Sequence, residues 1–497
     1  MKSQFSIIPI TILIIYLIFA QNLFSINNGI KSPSINSITS NKNKITVSFS
    51  NAFGGFVYIP TASDFMICGN DKVFYPVSEI SFQKNKITLL TKSVHRPVSI
   101  RYGYGNVLND TIITKNGNIL KPFRTDTFNN ISYARWFADS EMKRFPEAWQ
   151  LDHGKRLYFG YSQGLGCLAM LKMWKFTGEK KYFDYVKKWA DTLISQEGQI
   201  HEYHVETYNI DYINSGKILF DVYAQTGDEK YKKAMDNLVI QMKNHPRTLE
   251  GGYWHKLIYQ HQIWLDGIYM GSPFLAQYGK EFNQPEWIEE AIHQITLCHK
   301  RCNDSKTGLY FHAWDESKKQ QWANPQTGVS PNFWGRSIGW YFMAVVDALD
   351  FIPENHPRRN ELIAIVQNLT IAIGKYQSKN GLWYQVVDMP DRSGNYEEAS
   401  VTSMCMYSVA KAINKGYVDK KYRIIAEKAH NGIVKNLLII NGNGTLTLTK
   451  CCAVAGLGGN PYRNGSYEYY IGERIRDNDA KATGPFIMGC LEIEKFR

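Results

Sequence analysis

From residue 128 onward, the apolar residues of this chain recur with the 3.6-residue period of an amphipathic helix. Twelve such stretches follow one another: 128–144, 164–177, 180–196, 211–226, 228–244, 265–280, 284–302, 335–352, 357–378, 398–415, 418–436 and 481–494. Two of the turns between them are near copies, TGEKKY (Thr177–Tyr182) and TGDEKY (Thr226–Tyr231). In each, a glycine ends one helix and acidic residues begin the next. Six helical hairpins restrict the fold to an open solenoid or a closed toroid.

The links between the hairpins distinguish these two folds. A solenoid is typically joined by short and uniform links, whereas six links in this chain are long and rich in aromatic residues. They are 145–163, 197–210, 245–264, 303–334, 379–397 and 437–480. The pattern therefore predicts an all-α (α/α)6 barrel over residues 127–497, with a site at the end of the barrel where these loops lie.

The part of the chain before residue 127 has a different period. Apolar and polar residues alternate in the runs Lys44–Phe49, Lys86–Leu90 and Val98–Tyr102, and Gly, Asn and Pro separate the runs. This pattern predicts a small all-β sandwich domain over residues 28–126.

Three segments of this β-domain resemble the C-terminal β-domain of sialate O-acetylesterases. They are FYPVSEI (Phe74–Ile80), HRPVSIRYGYGN (His95–Asn106) and PFRTD (Pro122–Asp126). The catalytic domain of those esterases has no counterpart here, so the resemblance implies a structural or docking module and no esterase activity.

The N-terminus predicts export. Lys2 is followed by the apolar run Ile7–Ala20, which is shorter than the roughly 20 residues that span a bilayer and fits the core of a signal peptide over residues 1–20. No cysteine follows the run to accept a lipid, and the alternative is an uncleaved anchor. We expect a periplasmic or extracellular protein with no membrane contact beyond the signal peptide.

Charge narrows the class of partner. The chain has 57 Lys and Arg against 45 Asp and Glu, for a net charge of +12. Basic chains bind nucleic acid, anionic membranes or acidic substrates. Because the lysines are scattered and export is predicted, an acidic glycan ranks above nucleic acid. The eight cysteines mostly lie in apolar contexts and do not indicate a disulfide framework, and oligomeric state is not predicted.

The segment Trp254–Met270, WHKLIYQHQIWLDGIYM, places the single carboxylate of Asp266 among aromatic residues. Desolvation by such rings favours the protonated form of a carboxyl group, which makes Asp266 a candidate proton donor. The rings are also flat apolar surfaces on which sugars stack. The alternative is a helix N-cap aspartate inside an ordinary aromatic core.

Other chemically capable residues fall in the same loops or at the following helix starts. Asp211 follows TYNI, His312 lies in GLYFHAWDE (Gly308–Glu316), and Arg336 and Trp340 lie in SPNFWGRSIGW (Ser330–Trp340). Taken singly, Asp211 fits an N-cap, His312 a structural imidazole, Arg336 a partner of a structural acid, and Trp340 a core residue. Their common position at one end of successive hairpins favours a shared pocket.

These motifs resemble glycoside hydrolase family 105, the unsaturated rhamnogalacturonyl hydrolases, over roughly residues 128–497. The resemblance rests on HKLIYQHQIWLDGIYM, GLYFHAWDE, NFWGRSIGW, GLGGNPYRNGSYEYY (Gly456–Tyr470) and NDAKATGPF (Asn478–Phe486), in that order. One departure is Ser337–Ile338, where the family often has Gly-Asn. The resemblance therefore does not predict which residues contact the sugars beyond the unsaturated ring, or the exact oligosaccharide.

The resemblance implies that Asp266 is the general acid/base and Asp211 its carboxylate partner. It places seven further residues at the substrate: Tyr161 at the rim, and His255, Lys256, Trp264, His312, Arg336 and Trp340 in the pocket. The implied reaction removes a Δ4,5-unsaturated uronate from the non-reducing end of a pectin-type oligosaccharide. Two alternatives stay open: a family 88-like unsaturated glucuronyl hydrolase and a non-catalytic glycan-binding protein.

We predict no metal and no cofactor. The GLGG sequence (Gly456–Gly459) is not preceded by a strand that enters a helix, as a nucleotide-binding loop requires. The DNDAK sequence (Asp477–Lys481) has alternate acids but lacks the remaining ligands of a calcium loop.

Overall fold

A computed structural model describes residues 32–57, 64–70, 74–103, 112–126, 132–441 and 443–496. The predicted signal peptide, residues 1–20, lies outside the described residues. The chain divides between Phe128 and Asn129 into a β-rich unit and a helical unit. Among the described residues, no helix is long and apolar enough to cross a membrane.

The described residues of the N-terminal unit form ten strands, all paired antiparallel. In chain order they are β1 (Ser34–Asn41), β2 (Lys44–Ser50), β3 (Phe56–Val57), β4 (Phe65–Cys68), β5 (Phe74–Pro76), β6 (Glu79–Gln83), β7 (Lys86–Leu90), β8 (Ser99–Tyr102), β9 (Ile113–Thr114) and β10 (Phe123–Arg124). One sheet has the order β1-β2-β7-β6 and the other the order β10-β8-β4-β5, while β3 pairs with β9.

The two sheets bury one common core. In β2, alternate residues Ile45, Val47 and Phe49 point inward, as the period of two requires. They pack in one cluster with side chains of the other sheet, among them Phe65 and Tyr102, whose rings stack 4.5 Å apart. The predicted β-sandwich is therefore confirmed.

Over residues 132–441 and 443–496, the helical unit contains the twelve predicted helices and one short additional α-helix. They are α1 (Tyr133–Arg144), α2 (Tyr161–Thr177), α3 (Lys180–Leu193), α4 (Asp211–Thr226), α5 (Glu229–Asn244), α6 (Leu265–Glu281), α7 (Pro285–Cys302), α8 (Gly335–Ala348), α9 (Arg359–Lys375), α10 (Ala399–Asn414), α11 (Arg423–Asn436), the short α12 (Tyr467–Gly472) and α13 (Ala480–Glu494). Helix α2 begins three residues before the predicted residue 164. Gly164 lies inside the helix, where it packs directly on Ser215.

Six helices form a closed inner ring. Each contacts the next in the order α2, α4, α6, α8, α10, α13, and α13 returns to α2. An outer helix packs on each: α3 on α2, α5 on α4, α7 on α6, α9 on α8, α11 on α10 and α1 on α13. Inner helices are buried all round, as in α8, whereas the outer α5 buries one face. The fold is the predicted (α/α)6 barrel.

The direction of the inner helices explains why the loops gather. Outer and inner helices alternate along the chain from α1 to α11, and the last helix, α13, is again an inner one, so all six inner helices run the same way and begin at the same end. Six short strands lie in the loops: β11 (Gln262–Trp264), β12 (Ala313–Asp315), β13 (Leu438–Ile440), β14 (Leu446–Leu448), β15 (Cys451–Cys452) and β16 (Ile475–Arg476). The seven cysteines of this unit are buried free thiols.

Candidate active site

Asp211 is the first residue of α4, and its carboxylate is paired with a lysine. Lys256 lies beside it because Asn209 and Lys256 form an isolated antiparallel bridge between two loops. The Lys256 Nζ atom lies 2.6 Å from Asp211 Oδ2. Burial alone would raise the pKa of Asp211, but the Lys256 ammonium, with a smaller contribution from His255, outweighs burial and lowers it. Asp211 is therefore held as the carboxylate.

His255 lies between the starts of α4 and α6. Its Nε2 atom is 3.6 Å from Asp211 Oδ1, and its Nδ1 atom lies 2.9 Å from the position that a Cβ on Gly267 would occupy. A side chain at Gly267 would therefore displace the imidazole. Burial lowers the pKa of His255 to about 4, against the opposing charge of Asp211. The ring is thus neutral near pH 7.

Asp266 is the second residue of α6, and a two-stranded sheet places it opposite His312. Strand β11 pairs with β12, so that Trp264 faces Ala313 and the Leu265 backbone N–H donates to the His312 carbonyl at 3.0 Å. The His312 Nε2 atom then lies 3.2 Å from Asp266 Oδ2. On the other side of the imidazole, Nδ1 is hydrogen-bonded to the Tyr470 hydroxyl at 2.8 Å.

Three buried polar atoms of this pocket lack a hydrogen-bond partner among the described residues. They are Asp266 Oδ2, His312 Nε2 and His255 Nδ1. The first two are close but not aligned for a hydrogen bond with each other. Unpaired buried polar groups are costly, so their presence in one place marks a site built to contact a polar ligand.

Aromatic rings form one wall of the pocket. Trp264 stacks on both His255 and Tyr259, with ring centroids 4.5 Å and 4.7 Å away and planes nearly parallel. Trp264 also meets the edge of His312 at 5.2 Å. The His255 and Tyr259 centroids are only 6.1 Å apart, too close for rings on opposite faces of an indole, so both rings lie against the same face of Trp264.

A second aromatic layer lies beneath the first turns of the inner helices. Trp340 stacks on Tyr269 at 4.9 Å and meets the edge of Tyr161 at 6.4 Å. Trp340 is only 1% exposed. The structure therefore brings Tyr161 and Trp340 together, and Trp340 fits the core alternative better than a sugar platform.

Arg336 has a different environment from the predicted one. Its guanidinium is 1% exposed and donates from Nε to Ser400 Oγ at 2.8 Å and from Nη2 to the Cys452 carbonyl. Nη2 also lies 3.8 Å from Glu398 Oε1. Burial opposes its charge, yet Cys452, Asp479 and Glu398 raise the pKa of Arg336 above its usual value. This geometry favours the alternative in which Arg336 partners a structural acid.

Sequence reasoning did not single out Tyr470 or Arg463. Tyr470 orients His312, and Arg463 donates from Nη2 to the Tyr259 hydroxyl at 2.7 Å. Both lie in the quoted motif GLGGNPYRNGSYEYY, at the far end of the chain from the residues they contact. The several Tyr residues and the Arg in this motif were the available signal that it contributes side chains to the site.

Comparison with known proteins identifies the helical unit. The family model described as Glycosyl Hydrolase Family 88 matches residues 133–497. A glycoside hydrolase from family 105 of C. acetobutylicum ATCC 824 has a similar structure, with a TM-score of 0.71 and 43% identity, covering 73% of this chain and 100% of that chain. The matched residues exclude the β-domain, so its resemblance to the sialate O-acetylesterase domain stays a prediction.

Two curated relatives also match. Protein Atu3128 of Agrobacterium fabrum (strain C58) is 37% identical over 229 residues, which are 45% of this chain and 97% of that protein. The unsaturated rhamnogalacturonyl hydrolase YesR of Bacillus subtilis (strain 168) is 23% identical over 270 residues, 53% of this chain and 74% of that protein. Since the family model spans most of the chain and the 43% identical hydrolase aligns over its whole length, this protein belongs to the glycosyl hydrolase family 88/105 group of enzymes.

Proposed function

We propose that the enzyme removes a Δ4,5-unsaturated uronic acid, galacturonate-derived, from the non-reducing end of lyase-generated pectin or rhamnogalacturonan oligosaccharides. The observation that carries the proposal is the contrast between two carboxylates of one pocket. Asp211 is ion-paired with Lys256, whereas Asp266 Oδ2 is buried and has no hydrogen-bond partner. Different environments suit different roles: Asp211 stays charged, and Asp266 exchanges a proton with the substrate.

The unsaturated ring needs only one proton-transfer group. Asp266 donates a proton to C4 of the C4=C5 bond, and the positive charge that forms at C5 is shared with the ring oxygen. Asp266, now a carboxylate, takes a proton from the water that adds to C5. The resulting hemiketal opens and the glycosidic bond breaks, so that one water is consumed. The Asp211 carboxylate stabilises the positive charge that develops between these steps.

Lys256 is the proposed partner of the substrate carboxylate. Its ammonium bonds Asp211, yet its side chain remains 24% exposed, whereas Arg336 is enclosed by protein. A lysine can bridge two carboxylates because it has three donors. His312, which offers an unpaired Nε2, is the second candidate.

The substrate backbone is chosen from the relatives and the charge. YesR, by its name, acts on unsaturated rhamnogalacturonyl ends, and the net charge of +12 suits a polyanionic glycan. Membership of an enzyme family excludes the non-catalytic glycan-binding alternative. Export to the periplasm or beyond, where lyase products are found, is part of the same proposal.

A panel of lyase products tests the proposal. The protein is incubated with unsaturated oligosaccharides of rhamnogalacturonan, homogalacturonan and glycosaminoglycan backbones, and the absorbance of the conjugated enoate is followed. We expect the absorbance to fall fastest with the rhamnogalacturonan product. Selective turnover of the glucuronate-type product instead identifies an unsaturated glucuronyl hydrolase.

Replacing Lys256 with methionine should move the acidic limb of the rate profile to higher pH. The lowered pKa of Asp211 keeps it ionised as the pH falls, and activity is lost only below that pKa. Without Lys256, the main group that opposes the effect of burial is gone, so Asp211 takes up its proton at higher pH. The measurement is kcat against pH, with the exposed Lys243→Met variant as control. An unmoved acidic limb contradicts the pairing as a catalytic feature.

A protein that begins at Thr125 should keep the parent kcat/KM on an unsaturated disaccharide. All the site residues lie in the helical unit, and the family 105 structure is covered fully by 73% of this chain. Steady-state kinetics and circular dichroism check the result. A well-folded but inactive truncated protein contradicts the assignment of the chemistry to the barrel alone.

A further inference from the structure

We infer that Lys217, which lies on α4 six residues after Asp211, is a positioning residue that fixes the two carboxylates of the site relative to each other. The inference rests on the proposed roles of Asp211 and Asp266. Helix α6 lacks one of its backbone hydrogen bonds, because Pro273 lies inside that helix. Proline has no backbone N–H, so the carbonyl four residues earlier, on Tyr269, loses its helical donor.

Lys217 supplies the missing donor. Its Nζ atom donates to the Tyr269 carbonyl at 2.6 Å and to Asn214 Oδ1 at 2.8 Å. The ammonium also lies 3.4 Å from the centre of the Tyr269 ring. Lys217 is 5% exposed, and a buried lysine is retained only where its donors are used. The contact therefore replaces, from a neighbouring helix, the bond that Pro273 removed.

The hydrogen bonds that link Asn214, Lys217 and Tyr269 form a bridge between α4 and α6, and this bridge extends to a third helix. Asn214, which is 1% exposed, donates from Nδ2 to the Tyr161 carbonyl at 2.7 Å. Tyr161 begins α2, Asn214 and Lys217 lie on α4, and Tyr269 lies on α6. The bridge thus joins the first two turns of three adjacent inner helices.

The bridge lies one helical turn below each carboxylate. Asn214 is three residues after Asp211, and Tyr269 is three residues after Asp266, so each bridge residue lies on the same helical face as the carboxylate above it. Tyr269 in turn supports Trp340 by stacking. Without the Lys217 donor, the start of α6 is free to shift relative to α4. Such a shift changes the distance between the two carboxylates.

Other charges near Lys217 are separable from the bridge. Burial lowers the pKa of Lys217 well below its usual value; Asp347 opposes this, and Lys172 and Lys411 add to it. Lys172, on α2, therefore offers a matched control. It is a half-buried lysine on a neighbouring inner helix, it acts on Lys217 only through its charge, and its ammonium lies 5.8 Å from the Tyr407 ring.

The test compares Lys217→Met, Lys172→Met, Pro273→Ala and the double variant K217M/P273A. Methionine keeps the apolar stem of lysine but has no donor. We expect K217M to lower kcat by about 10- to 100-fold, the loss that a small misplacement of catalytic groups causes, while KM stays near the parent value. K172M and P273A alone should keep the parent kcat.

The double variant is the decisive measurement. Alanine at 273 restores a backbone N–H to the Tyr269 carbonyl, so K217M/P273A should recover most of the kcat that K217M loses. No recovery, or an unchanged kcat in K217M, overturns the inference. If K217M does not fold, a folded and active double variant supports the bridge, and failure of both to fold overturns it.

The outcome is distinct from that of the proposed function. An Asp266→Asn variant with parent activity refutes the proposed chemistry whatever K217M does. An inactive Asp266→Asn variant beside a K217M variant with parent kcat refutes only the bridge.

Discussion

Replacing Asp266 with asparagine should lower kcat by about 10²–10⁴-fold, the usual contribution of a general acid or base. Asparagine has the size of aspartate but neither donates a proton to C4 nor takes one from water. The fold should persist, because Asp266 Oδ2 makes no hydrogen bond within the described structure. The measurement is kcat on an unsaturated disaccharide, together with the melting temperature.

A matched control removes a carboxylate from the opposite end of the barrel. Asp221 lies near the end of α4, where it pairs with Lys175 on the protein surface. The Asp221→Asn variant should keep the parent kcat, since surface ion pairs contribute little to stability and Asp221 is remote from the pocket. An Asp266→Asn variant with kcat close to that of Asp221→Asn removes Asp266 from the chemistry.

Replacing Arg336 with methionine should destabilise the helical unit by about 3–5 kcal/mol, the usual cost of removing one partner from a buried ion pair. The change leaves the fully buried Glu398 carboxylate without its cation, and it leaves the Cys452 carbonyl without its donor. Denaturant unfolding measures the free energy. Arg336→Lys keeps the charge but not the planar fork, so it should cost less.

The double variant R336M/E398Q separates the two interpretations of Arg336. If Arg336 partners a structural acid, neutralising Glu398 as well should restore part of the lost stability, because the uncompensated charge is gone. The folded R336K protein should then keep the parent kcat/KM. A stable R336K protein with a large loss in kcat/KM instead identifies Arg336 as the clamp for the substrate carboxylate.

The sequence by itself determined the barrel, because the helical period predicted the helices and the long aromatic-rich links favoured a closed ring over a solenoid. Twelve stretches with one apolar face predicted twelve helices, and all twelve are present within a few residues of the predicted bounds. The pattern is local, since each residue's face depends only on its position along its own helix. Because inner helices run one way, the order of elements also placed Asp211 and Asp266 at the same end of the barrel.

Only the tertiary structure decided which side chains contact one another there. Pairing of β11 with β12 places Asp266 beside His312, and Arg336 pairs with Glu398. Lys217 donates to the Tyr269 carbonyl, which lost its helical donor to Pro273. These partners lie 46 to 62 residues apart in sequence. Strands of three residues are too short to show an alternating pattern in the sequence. The sequence also does not indicate which acid or carbonyl a buried lysine or arginine will bind. Such contacts arise because the inner helices close into a ring and bring their loops together. The helical period is a local pattern and does not indicate which loops will be neighbours.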